Sequence, residues 1–225
     1  MNYLLDTADI ETIQRAADYL PVSGVTSNPS IVKEEGRIDF FAHMRTIRKI
    51  IGITRSLHIQ VTATSADGIL RDADALLEKV DPQVYIKIPV TLEGLRAIKL
   101  LKQQGKNVTA TGIYTINQGL LAMEAGADYL APYYNRMESL NLNPEEAISF
   151  FTRMIELYGY QTKVVAASFK NIGQVNRAFM AGAQAATLNP ALIEAALAMP
   201  DITKAVEEFS LDWQSIYGDK LIADL

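Results

Sequence analysis

A repeated alternation constrains this chain more than any other feature. Short runs rich in β-branched and aromatic residues recur at 3–7, 24–28, 57–63, 84–90, 107–113, 129–135, 163–169 and 185–188. Runs of that length and composition read as buried strands. Between them lie stretches with helical periodicity at 9–19, 38–51, 65–80, 92–104, 116–125, 144–158, 172–181 and 190–199. Asp9 stands as N-cap of the first helix, and Gly105, Gly126, Gly159 and Gly182 fall where helix C-caps belong. Eight strands alternating with eight helices predict a mixed α/β chain folded as a single (β/α)8 TIM barrel. An open doubly wound sheet is the alternative. No G-x-G-x-x-G follows the first strand, which removes its usual dinucleotide-binding form. The barrel is expected over residues 1–200. An extra amphipathic helix and tail follow at 201–225, with Ile202, Val206, Phe209, Trp213, Ile216 and Tyr217 on one stripe.

The run at 84–90, Val-Tyr-Ile-Lys-Ile-Pro-Val, carries one lysine at its centre. Side chains alternate along a strand, so Val84, Ile86, Ile88 and Val90 share one face, and Tyr85, Lys87 and Pro89 the other. An ammonium group set among aliphatic neighbours is costly unless it is paired or loses its proton. Lys87 is therefore either a snorkelling or ion-paired lysine, or an amine kept neutral to attack a carbonyl. The same alternation groups polar residues on the inward faces of the other strands. Leu4 goes with Asp6, Thr26 with Asn28, His58 with Gln60 and Thr62, and Thr109 with Thr111. Ala131 goes with Tyr133, and Ala166 with Ser168 and Lys170. Several of these lie at carboxyl ends of strands, where barrel active sites are built. That convergence favours the reactive reading of Lys87.

Composition removes whole classes of function. The net charge of −5 argues against general nucleic-acid binding, but not against a small anion held by a local group of donors. With no cysteine, disulfides and thiolate chemistry are excluded. Two histidines and no His/Glu cluster make a metal site unexpected. The first residues lack the basic region and apolar core of a signal peptide, and no stretch suits a membrane span. A cytoplasmic protein is expected.

The motifs Leu5-Asp6-Thr7, Gly24-Val25-Thr26-Ser27-Asn28-Pro29-Ser30, Ile86-Lys87-Ile88-Pro89 with Glu93-Gly94, Ala131-Pro132-Tyr133, Asn135-Arg136 and Ala167-Ser168-Phe169-Lys170 together resemble the transaldolase superfamily. The likeness runs over residues 1–218 and is strongest to the short members, the fructose-6-phosphate aldolases and small transaldolases. Gln60 and Tyr133 match the pair found in the aldolases, where transaldolases carry glutamate and phenylalanine. Ser27 replaces a usual threonine, and Lys170 stands where many transaldolases have arginine, giving up bidentate phosphate binding.

The resemblance implies a class I aldolase that reversibly splits fructose 6-phosphate into dihydroxyacetone and glyceraldehyde 3-phosphate. Lys87 would form the Schiff base, and because the protonated imine is itself the electron sink no cofactor is needed. At the ordinary lysine pKa only about one amine in ~2500 is neutral at pH 7. Asp6 would transfer the proton beside the scissile bond. Gln60, Thr111 and Tyr133 would hold a water that shuttles protons to the imine. Thr26 and Asn28 would orient the donor's hydroxyls, though Asn-Pro-Ser is also an ordinary turn and helix cap. Arg136, Ser168 and Lys170 would meet the phosphate; for Lys170 a surface ion pair is the competing role. A homo-oligomer, a ring pentamer or decamer with the last helix docked on a neighbouring subunit, is implied too. A transaldolase moving a dihydroxyacetone unit between sugar phosphates is the rival activity, and a non-catalytic sugar-phosphate binding barrel the rival class.

Overall fold

The computed structural model describes residues 1–225. Eight strands are present: β1 (Asn2–Asp6), β2 (Val22–Thr26), β3 (Ser56–Gln60), β4 (Tyr85–Pro89), β5 (Val108–Ile113), β6 (Tyr129–Pro132), β7 (Lys163–Ala166) and β8 (Ala185–Leu188). They pair in parallel in chain order, and β8 returns to β1, so the sheet is a closed barrel. The helices are α1 (Ile10–Tyr19), α2 (Pro29–Glu34), α3 (Phe40–Ile51), α4 (Ala66–Lys79), α5 (Leu92–Gln103), α6 (Ile116–Glu124), α7 (Tyr134–Ser139), α8 (Pro144–Tyr158), α9 (Ile172–Met180), α10 (Pro190–Leu197) and α11 (Pro200–Tyr217). The (β/α)8 barrel expected from the alternation is the fold. Two compact units divide the chain, Met1–Pro190 and Ala191–Leu225.

Local chemistry starts the helices soon after the strands. Asp9, Asp39, Ser65, Thr91, Asn143 and Asn171 each accept a backbone N–H from the first turn of the helix they precede. Such caps satisfy donors that the helix itself leaves open. Thr115 and Gln118 form a reciprocal capping box at α6. The helix ends also match the expectation: Gly105, Gly126, Gly159 and Gly182 all have positive φ. Gly94 serves a different purpose. A Cβ there would come within 2.0 Å of the Pro89 carbonyl oxygen, so only glycine lets the first turn of α5 lie against the end of β4.

Strand lengths are where the expectation fails. The strand-like runs extend through residues 27–28, 133–135 and 167–169, but β2, β6 and β7 end earlier, and α2 and α7 begin within or just after those stretches. Asn28 caps α2 through its side chain, accepting from the N–H groups of Ser30 (2.9 Å) and Ile31 (3.1 Å). An Asn followed by Pro at the first helical position is a helix start, and that local signal prevails over the apolar run before it. The inward face of β7 is also corrected. Val165 and Ala167 pack with Leu4, Ala131, Ala185, Tyr129 and Tyr133 inside the barrel, so Ala166 belongs to the opposite face. Thr62 turns away as well: its hydroxyl and N–H both donate to Asp72 on α4.

The core lies in two shells, the barrel interior and the strand–helix layer. Ile86, Ile88, Val108, Ala110, Ile98 and Leu101 around β4 and β5 are fully buried. Lys87, on the opposite side of its strand from Ile86 and Ile88, is only 2% exposed. No helix is long and apolar enough to cross a membrane.

Candidate active site

A cavity of about 380 Å³ opens at the carboxyl ends of the strands. Asp6, Asn28, Gln60, Tyr133, Arg136, Ser168 and Thr187 contribute to its wall. Three further expected residues stand just behind that wall. Lys87 is the ladder partner of Gln60, Thr26 donates to Asp6, and Thr111 donates to Tyr133. Nine of the ten expected site residues are thus at one end of the barrel, either on the cavity or one contact away from it.

The Lys87 side chain makes no hydrogen bond or ion pair; the ion pairs join other residues. No ion pair joins Lys87 to Asp6, so the ion-paired reading of the lysine does not hold. Gln60 beside it has a buried Oε1 with no protein partner. A buried polar atom without a partner is uncommon in folded proteins, and sites of chemistry are one place where it occurs.

Asp6 is held from below. Thr26 donates its hydroxyl to the Asp6 carboxylate at 2.6 Å, and Thr187 lies 2.6 Å from the same Thr26 oxygen. Since the Thr26 proton is committed to Asp6, Thr187 must be the donor to Thr26. The three form a short chain that aims one carboxylate oxygen and leaves the other toward the cavity. Thr26 therefore holds the carboxylate, a different task from orienting substrate hydroxyls. Thr187 was not among the expected site residues. The signal for it was available: Ala185 faces the interior, and two residues on, Thr187 must do so too.

On the opposite wall Thr111 donates to the Tyr133 hydroxyl at 3.0 Å. A phenol that accepts from a neighbour keeps its own proton free to donate. The Arg136 guanidinium lies over the Tyr133 ring, 4.9 Å from its centroid, and donates to the Tyr114 hydroxyl at 3.1 Å. That hydrogen bond is the main reason the Arg136 guanidinium holds its proton more tightly than usual. Asn28 spends its side-chain oxygen on α2 and leaves its amide N–H groups for the cavity.

Ser168 reaches the cavity by a route that strand alternation could not foresee. Its φ is 64°, a left-handed conformation rare outside glycine, and it turns the chain just past β7. Lys170 is the exception among the ten. It is exposed, does not line the cavity, and its N–H donates to Gln174 at the start of α9. No group of three or more His, Asp or Glu side chains converges to hold a metal ion.

A larger cavity, about 440 Å³, lies on the other side of α2 and is walled mainly by Val32, Phe40, Phe41, Ile59, Val61 and Leu76. It shares Asn28 and Gln60 with the polar cavity, and of its two charged residues, Lys33 and Asp72, the carboxylate is spent on Thr62 and Ala63.

The family model for transaldolase/fructose-6-phosphate aldolase matches residues 3–221. The chain belongs to that family. A relative from Streptococcus pneumoniae (strain ATCC 700669 / Spain 23F-1), described as a "probable fructose-6-phosphate aldolase", is 49% identical over 222 residues, covering 99% of this chain and 100% of the relative. A "probable transaldolase" from Agathobacter rectalis is 33% identical, covering 97% of this chain and all of its own length. Another so described, from Streptococcus equi subsp. zooepidemicus, is 36% identical over 96% of this chain and 99% of its own. The chain is thus an enzyme of the transaldolase/aldolase type.

Proposed function

We propose that this transaldolase-family enzyme is a class I aldolase that reversibly cleaves fructose 6-phosphate into dihydroxyacetone and glyceraldehyde 3-phosphate through an imine on Lys87. The observation that carries the reading is a buried lysine without a counter-ion, beside an unpartnered Gln60 that shares its cavity with the Thr26-bonded Asp6 carboxylate. The Lys87 amine adds to the C2 ketone, and water leaves to give the protonated imine. As the C3–C4 bond breaks, its electron pair passes into the imine. Asp6 takes the proton of the C4 hydroxyl, and glyceraldehyde 3-phosphate departs. A water between Gln60 and Tyr133 then protonates C3 and is itself reprotonated by Asp6, and a second water hydrolyses the imine to free dihydroxyacetone and the amine. Arg136 and Ser168 would meet the phosphate at the rim, and the Asn28 amide a donor hydroxyl.

Transaldolase activity is the second reading, favoured by the names of the Agathobacter and Streptococcus equi relatives. Both activities share the imine and differ in whether the carbanion meets a proton or a second aldehyde. The identity of Gln60 and Tyr133, and the S. pneumoniae relative at 49%, favour the aldolase. Free dihydroxyacetone is expected from fructose 6-phosphate alone; release that requires added erythrose 4-phosphate would replace aldolase by transaldolase. Borohydride reduction with dihydroxyacetone should leave an adduct on the Lys87 peptide. Without any adduct, a non-catalytic binding barrel becomes the better account.

The reading carries with it a cytoplasmic homo-oligomer. Ile202, Val206, Phe209 and Ile216 of α11 are all exposed, and an apolar stripe of that size calls for a partner surface. Docking of this helix on a neighbouring subunit, as in a ring pentamer or decamer, is our proposal for it. Light scattering should show the oligomer, and Phe209→Asp should shift it toward smaller species.

A further inference from the structure

We propose that Tyr114 is a positioning residue for the phosphate end of the site, holding Arg136 across the face of Tyr133 and so setting the preference for phosphorylated aldehydes. This rests on the fructose 6-phosphate reading above. Tyr114 itself is not on the cavity wall, so it acts through the two residues that are.

The end of β5 is built to bring Tyr114 there. A regular strand would place residue 113 on the inward face of Thr111 and send residue 114 outward. The β5–β6 register instead shifts between Ala110 and Ile113, with Gly112 at φ 68°. An extra residue in a strand reverses the facing of everything after it. Ile113 is accordingly fully buried, its carbonyl accepting from the Tyr133 N–H at 3.0 Å. Tyr114 comes round to meet Tyr133 edge to face, with ring centroids 5.6 Å apart. The Gln118 side chain accepts from the N–H groups of Tyr114 (2.9 Å) and Thr115 (3.0 Å), which fixes the backbone at this point.

The result is a triangle of Tyr114, Tyr133 and Arg136: the guanidinium lies over the Tyr133 ring, Tyr114 meets that ring edge to face, and Arg136 closes the figure by donating to the Tyr114 hydroxyl. Arg136 is exposed and has no carboxylate partner, so beyond its contact with the Tyr133 face the Tyr114 hydroxyl is what fixes its head group. One of its five N–H donors is used on Tyr114, and the remainder can serve an anion. Ordering a long cationic side chain costs entropy on binding, and a tyrosine that holds it beforehand reduces that cost.

The test is the ratio of KM values for glyceraldehyde 3-phosphate and glyceraldehyde in the condensation with dihydroxyacetone, for wild type, Tyr114→Phe and Arg136→Gln. Phenylalanine keeps the ring contact and removes only the hydroxyl. Tyr114→Phe should raise the ratio by roughly three- to tenfold, the range for one lost hydrogen bond, with the change in KM rather than kcat. If Arg136→Gln raises the ratio and Tyr114→Phe leaves it at the wild-type value, the inference fails and the phosphate reading stands. If Arg136→Gln does not raise it, the phosphate role of Arg136 fails and takes the inference with it. A loss in Tyr114→Phe that is equal for both aldehydes would mean a general structural role and would also overturn the proposal.

Discussion

Both ends of the barrel interior are polar, and they differ in how completely their polar groups are paired. At the amino-terminal end His58 bonds Thr109 at 2.7 Å through Nδ1 and Ser56 at 2.9 Å through Nε2. Its ring stacks on Tyr85 and meets Tyr129 edge-on. Every polar atom of that imidazole is used, and burial pushes its pKa down to about 3. At the carboxyl-terminal end Lys87 has no partner, the Gln60 oxygen has none, and Arg136 and the Asn28 amide keep donors free. A closed set of hydrogen bonds holds a fold together; an open one waits for a ligand. Polar residues inside a barrel are therefore informative only once their pairing is known.

The sharpest way to break this comparison is to remove the open end's central group. Lys87→Ala is expected to lower cleavage of fructose 6-phosphate by roughly 10⁴-fold or more and to abolish the borohydride adduct, with the folded state kept. Circular dichroism and adduct mass together check it; residual turnover within tenfold of wild type would remove the imine from the mechanism. Next in size is Asp6→Asn. It should cost about 10²- to 10³-fold in kcat while the adduct with dihydroxyacetone still forms, since the amide cannot take the proton. Failure to form the adduct would place Asp6 in imine formation instead.

At the closed end the expected effect is on stability. The folded His58 pKa, about 3, lies below the ordinary 6.5, so the neutral form is favoured by folding. Its contribution is whole above about pH 6.5 and is lost progressively as pH falls toward 3. His58→Gln should accordingly remove part of the acid lability. The stability gap between wild type and variant should shrink from pH 7 to pH 4 by on the order of a few kcal/mol. Urea unfolding at the two pH values measures this, and a gap independent of pH would show that His58 does not titrate on unfolding as argued. The smallest effect belongs to Lys170→Ala. Exposed and off the cavity wall, it should alter KM for fructose 6-phosphate by less than about twofold, as for an ordinary surface charge. A tenfold rise would return Lys170 to the phosphate site.

The alternation of strands and helices was legible because each element carries its own period and its own caps. Residues such as Asp9, Thr91 and Gly159 act within a few positions of themselves, so the chain alone determines the barrel and the inward aim of Asp6, Lys87 and Thr111. Family motifs supplied the candidate chemistry. Alternation stopped being a guide where the strands stopped. Ser168 turns inward by a left-handed φ, Tyr114 by a shift of register at Gly112, and Lys170 falls outside, and none of these is encoded in a period of two.

Pairing was the other thing the sequence could not decide. Thr26 could have met substrate or carboxylate, and Asp6 could have met Lys87; the closed barrel sets Thr187, Thr26 and Asp6 side by side instead. Which groups remain open depends on neighbours far apart in the chain, here 161 positions for Thr26 and Thr187. Hydrogen bonds are satisfied in space, so only the tertiary structure could separate the polar groups that hold the barrel from those left to act.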